Sequence, residues 1–100
     1  MRKLLHNRRA CETTTFEHDG HKYVASVARY PDGSIAELFL NTNMRPGSAV
    51  DNSAKDAAVA VSLAIQYGCP PEVLRAAMSR KADGSPAGPI GAALDVVTGK

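Results

Sequence analysis

Asp19-Gly20 and Pro31-Asp32-Gly33 constrain this chain more than any other feature, because they stand one strand-length apart and each can reverse the backbone. Asp-Gly favours the two-residue hairpin turn whose central residues both take positive φ. Upstream, Glu-Thr-Thr-Thr-Phe-Glu-His (12–18) is rich in β-branched and aromatic residues; downstream, a second strand runs from His21 to about Tyr30. A type I′ turn opposes His18 to His21, Glu17 to Lys22 and Phe16 to Tyr23, which pairs opposite charges and two rings. Pro31 suits the second position of a type I turn and Gly33 the place where φ is positive, so the chain turns again into Ile35–Asn41. The expectation is a three-stranded antiparallel meander. One face would carry Phe16, Tyr23, Ala25 and Phe39 and the other Val24, Ala28, Leu38 and Leu40, so neither is freely solvated and helices must cover at least one.

From Ser48 the apolar spacing becomes helical, with Val50, Ala54, Ala57, Ala58, Val61 and Ile65 on one side. Ser48, with Asp51 three residues on, caps the start, and Gly68 after Tyr67 is a natural stop. Val59 and Leu63 lie off the stripe, which predicts a helix sandwiched between the sheet and either the following helices or another subunit. Pro70-Pro71-Glu72 opens a second helix through about Ser79. Ala82–Pro89 is a Gly/Pro/Ser-rich loop, after which Ile90, Ala93, Leu94 and Val97 space out as a last short helix. The fold class is therefore α+β: a three-stranded antiparallel meander followed by one long and two short helices packed on the sheet. One domain is expected over residues 12–100, after a basic arm over 1–11. Only 5% of the residues are aromatic and none is Trp, so many small Ala, Val and Leu contacts must build the core.

The formal charge of +2 is unevenly placed: Arg2, Lys3, Arg8 and Arg9 stand in the arm, leaving eight basic against ten acidic residues elsewhere. Such an arm can touch phosphates, but without a continuing basic stripe nucleic acid is not the expected partner. Met1-Arg2-Lys3-Leu4-Leu5 begins like a signal peptide, yet His6-Asn7-Arg8-Arg9 follows where an apolar stretch is needed. The longest mostly apolar stretch, Ala57 to Ile65, is too short to span a bilayer. Cys11 and Cys69 are far apart and form no disulfide framework, so a cytoplasmic protein with no membrane association is expected.

Three places could carry chemistry. Thr42-Asn43-Met44-Arg45-Pro46-Gly47-Ser48 leads from a strand into the long helix, where backbone N–H groups and the helix dipole favour an anion; Arg45, Gly47 and Ser48 are the candidate phosphate or nucleotide contacts. The loop lacks the full glycine and lysine pattern of a phosphate-binding loop, and an ordinary capped connection is the competing reading. His18 and His21 flank the first turn as opposed neighbours, a spacing open to two ligands of one metal; a third ligand is missing nearby, and a polar hairpin tip accounts for both. Cys69, between Gly68 and Pro70, could be activated by the second helix, but a small buried cysteine filling a tight turn is the structural alternative. Gly33 and Gly68 are read as structural.

Taken in order, Arg8-Arg9 before Glu12-Thr13, Phe16-Glu17-His18-Asp19-Gly20 with Tyr23, Tyr30-Pro31-Asp32-Gly33, Ala36-Glu37-Leu38-Phe39-Leu40-Asn41, Gly47-Ser48, Asp56-Ala57-Ala58, Ser62-Leu63-Ala64, Gly68-Cys69-Pro70, Gly88-Pro89-Ile90-Gly91 and Leu94-Asp95 resemble the TSCPD domain. That is the small C-terminal domain of adenosylcobalamin-dependent ribonucleotide reductases, also found as a short stand-alone protein. The chain departs from the name motif: Tyr67-Gly68 precede Cys69-Pro70 and Pro71 follows. The resemblance implies deoxynucleotide metabolism, while the radical and reducing cysteines and the adenosylcobalamin site of the full reductases are not expected in 100 residues with two cysteines. It implies an accessory or regulatory module, non-catalytic and without a cofactor of its own, that binds a nucleotide or docks on a reductase. The alternatives are a homo-oligomeric interaction domain without a small-molecule site and a small thiol-dependent enzyme using Cys69.

Overall fold

A computed structural model describes residues 11–42 and 47–99. The elements are β1 (Cys11–His18), β2 (His21–Arg29), β3 (Ile35–Thr42), α1 (Ala49–Gln66), α2 (Pro71–Ala77) and α3 (Pro89–Thr98), with the sheet in the order β1-β2-β3. The basic arm before Cys11 and Arg45 lie outside the described residues.

Both turns form where their residues demand. Asp19 and Gly20 take φ of 51° and 80°, and the register opposes His18 to His21, Glu17 to Lys22 and Phe16 to Tyr23. The Phe16 and Tyr23 rings stack with centroids 5.3 Å apart. At the second turn Gly33 N–H donates to the Tyr30 carbonyl at 2.9 Å and Tyr30 N–H to the Ser34 carbonyl at 2.8 Å. Asp32 Oδ1 accepts both the Ser34 N–H and its hydroxyl, and Gly33 sits at φ 90°. Gly33→Ala places a side chain in the left-handed region and should cost about 1 kcal/mol, read as a lower urea midpoint with unchanged strand content; an unaltered midpoint would refute the turn.

The faces of β3 differ from the sequence expectation. Pairing runs regularly from Tyr23↔Thr42 to Ala28↔Glu37 and then slips, so that Arg29 faces Ile35 and Ala36 is left as an extra residue. Such a bulge moves every later side chain to the opposite face. Leu38 and Leu40 therefore join Tyr23, Ala25 and Val27 in the core, and Phe39 turns to the open face, 42% exposed. The alternation assigned from sequence omitted this one residue.

All three helices contribute to the core on that face, through Ala54, Ala58, Val61 and Ile65 of α1, Leu74 of α2, and Ala93 and Leu94 of α3. One correction applies to α1. Val50 is exposed, while the buried side also holds Asp51, Ser62 and Gln66. Val59 and Leu63 are exposed among the described residues, so of the two covers expected for that side the following helices do not supply it, which leaves another subunit. The polar residues are buried because they bond the outer edge of β3: Ser62 Oγ accepts Leu38 N–H at 2.8 Å and donates to the Leu38 carbonyl at 2.9 Å, and Gln66 Nε2 donates to the Ala36 carbonyl at 3.2 Å. At the C-terminus, Gly68 (φ 107°) donates to the Ile65 carbonyl and Cys69 N–H to that of Ala64, a Schellman closure.

Beyond α1 the chain is fastened by charge. Arg80 forks onto Asp95 with two 2.9 Å bonds. Arg75 Nε lies 2.7 Å from Asp95 Oδ1, off the hydrogen-bonding direction, so it contributes charge rather than a directed bond. The Arg80 guanidinium holds the Asp95 carboxyl below its ordinary value. A carboxylate depressed in the folded state adds stability that is complete above its unfolded pKa of about 3.9 and is lost as pH falls through the folded value. The urea midpoint should therefore stay level from neutral pH to about pH 5 and drop below about pH 4. Asp95→Asn should flatten that drop; an equally steep acid limb in this variant would assign it to other groups.

Candidate functional site

The start of α1 brings a strand end, a tight loop and two helices together. Gly47 takes φ 83°, and Ser48 is the N-cap, its Oγ accepting Asp51 N–H at 3.1 Å. The Asp51 carboxylate turns inward and is 3% exposed. It accepts from Thr42 Oγ1 at 3.3 Å and Gly47 N–H at 3.4 Å, and Lys55 Nζ stands 3.1 Å away. Lys55 foremost, with the Gly47 N–H and Thr42 hydroxyl, outweighs desolvation and holds this carboxyl below its ordinary value. One anion at the positive end of α1 is thus the chain's own, neutralised by its i+4 lysine.

On the adjoining side of α1, Val50, Ser53, Ala54 and Ala57 face Pro89 and Ile90 of α3 across an open groove of about 430 Å³. Its walls are almost wholly apolar, and its volume lies in the range of small-molecule sites. The groove is lined from Ala49 onward, and Gly47 and Ser48, which precede Ala49 in sequence, are not among its lining residues. The residues that line it were legible as helix and as loop end; their meeting across α1 and α3 was not, since no local pattern specifies it.

The other sequence candidates are placed as follows. His18 and His21 are opposed, as the turn requires, but His18 Nε2 is bonded to the Pro86 carbonyl at 3.0 Å. Lys81 Nζ meets Asp19 Oδ1 at 3.0 Å, so the hairpin tip is tied to the loop between α2 and α3. Among the described residues no group of three His, Cys, Asp or Glu side chains is arranged to hold a metal ion. Cys69 is half-buried rather than buried; its Sγ makes a long 3.9 Å contact with the Pro70 carbonyl, and its backbone N–H performs the closure of α1. Sequence reasoning missed Ser62, Gln66 and the Asp95 cluster. The polar residues in an apolar helical stripe were the available signal for the first two.

Three comparisons with known proteins bear on this arrangement. The chain is 36% identical over 73 residues to a vitamin B12-dependent ribonucleotide reductase of Rhodopirellula baltica, covering 73% of this chain and 7% of that protein. It is 35% identical over 71 residues to the Agrobacterium fabrum protein of the same description, and 33% over 69 residues to that of Bradyrhizobium diazoefficiens, covering 71% and 69% of this chain and 6% and 5% of theirs. No protein-family model and no solved structure matches it. The chain is therefore a small domain related to vitamin B12-dependent ribonucleotide reductases, and it spans under a tenth of the length of these relatives. Among the described residues no helix is long and apolar enough to cross a membrane.

Proposed function

We propose that the chain is an accessory domain of ribonucleotide reduction, non-catalytic by itself, that binds a nucleotide at the start of α1. The observation that carries this reading is the apolar groove between the first turns of α1 and the start of α3, lined from Ala49 onward, in a domain related to ribonucleotide reductases. The flat face of a nucleobase suits its walls of Val50, Ala54, Ala57 and Ile90. Phosphates would lie at the start of α1, where the Asp51 carboxylate is already paired with Lys55 and where the helix dipole favours an anion; Arg45, in the loop before Gly47, is the sequence candidate for the balancing charge. The setting of such a module is the cytoplasm.

A thermal-shift series with ribo- and deoxyribonucleoside triphosphates tests the proposal. A nucleotide at about a hundred times its dissociation constant adds roughly 2.7 kcal/mol, a shift of on the order of 10 °C for a domain this size. The shift should be confined to one nucleotide class, and Arg45→Ala or Val50→Asp should abolish it. No shift with any nucleotide at millimolar concentration removes the site.

A second reading is docking on a reductase. Val59, Leu63 and Tyr67 follow one another along the outer side of α1, all exposed, Tyr67 at 64%. Calorimetric titration with a vitamin B12-dependent reductase tests it: binding lost in Leu63→Asp supports docking, and absence of heat at micromolar concentrations ends it.

A further inference from the structure

A three-stranded sheet has two edges, and among its described residues this protein closes one of them. At β3, Ser62 and Gln66 supply the bonds that a fourth strand would make. At the other edge, β1 pairs with β2 without a bulge from Cys11↔Ala28 to His18↔His21. The strand contains neither Pro nor Lys, and residues 11–15 are exposed. A long, regular edge whose charges among the described residues are Glu12 and Glu17, with no Pro, Lys or bulge, is a template for a further strand. Because the two-residue turn closes on the His18–His21 pair, the alternate residues Thr13, Thr15 and Glu17 direct N–H and C=O outward.

We propose that β1 pairs antiparallel with β1 of a second copy about a two-fold axis through Thr15, joining two sheets into one of six strands. Outward-directed groups must oppose outward-directed groups, which puts the axis on a residue rather than between two. An axis between Thr14 and Thr15 would also set Glu12 against Glu17, and like charges directly opposed are unfavourable. Centred on Thr15, the pairing sets Thr15 against itself, Thr13 against Glu17, Thr14 against Phe16 and Glu12 against His18. Glu12 already holds Arg29 at 2.8 Å, so no uncompensated carboxylate meets another. The interface is isologous and closes at two copies.

Sedimentation equilibrium of the full chain from micromolar to near-millimolar concentration is the test. The mass should rise to twice 10.6 kDa. Thr15→Pro removes an outward N–H that the β1–β2 ladder does not use, and this variant should stay monomeric with an unchanged circular dichroism spectrum. Cross-linking gives a readout that does not depend on that variant folding. Directly opposed Cα atoms about 5.5 Å apart lie within disulfide reach, so Thr15→Cys with both native cysteines changed to Ser should form a disulfide dimer on oxidation. Thr14→Cys in the same background should not. A monomer mass at every concentration, a dimer unaffected by Thr15→Pro, or cross-linking at position 14 instead of 15 overturns the proposal.

Discussion

Leu38→Ala is expected to remove about half of the stability of this domain. Leu38 is completely buried at the centre of β3 and is among the largest side chains in the core. Truncating such a leucine loses its transfer free energy and leaves a cavity, together about 3–5 kcal/mol, whereas a domain this size has on the order of 5–10 kcal/mol in all. The urea midpoint should fall by about half, with the unfolded population becoming visible at physiological temperature. Phe39→Ala, one residue along, is the internal control. Its ring is 42% exposed, so the change should cost about 1 kcal/mol, well below the loss at Leu38. The pair of variants reads the bulge directly: equal losses, or a larger loss at Phe39, would restore the unbulged register and overturn the placement of β3.

That contrast also locates the limit of what the sequence discloses. The turns were legible because Asp19-Gly20 and Asp32-Gly33 need backbone conformations that few other residues tolerate, and this fixed β1 against β2 pair by pair. The bulge at Ala36 was not legible, since Ile35-Ala36 and Leu38-Phe39-Leu40 are apolar enough to satisfy either alternation. A repeated local signal passed unread. Asp83-Gly84-Ser85 copies Asp32-Gly33-Ser34, and it folds the same way: Asp83 Oδ1 accepts from Ser85, and Gly84 takes φ 87°. That turn shapes the loop that Lys81 and Pro86 fasten to the hairpin tip. At the candidate site, Ser48 as cap and Asp51 as first-turn acid were readable, because capping is local. The groove is not local: α3 enters it from some forty residues away, and only the packed core sets that distance.

Ser62→Ala tests the closure of the β3 edge and carries the second large effect. The hydroxyl is the partner of both the N–H and the carbonyl of Leu38, at a site where neither reaches water. Alanine is the better helix former, by a few tenths of a kcal/mol, so helix propensity alone predicts stabilisation. Against it stand two buried backbone groups left without partners, each costing about 1–3 kcal/mol. The second effect is several times the first, and a net loss of roughly 2–4 kcal/mol is expected. Hydrogen exchange separates this account from a simple packing defect: the Leu38 amide should lose protection well beyond that of Phe39, whose N–H is directed into the β2–β3 ladder. A variant as stable as the parent, with the Leu38 amide still protected, would mean that another group satisfies that edge. In that case Ser62 would be an ordinary core residue, and the asymmetry between the closed β3 edge and the open β1 edge would lose its physical basis.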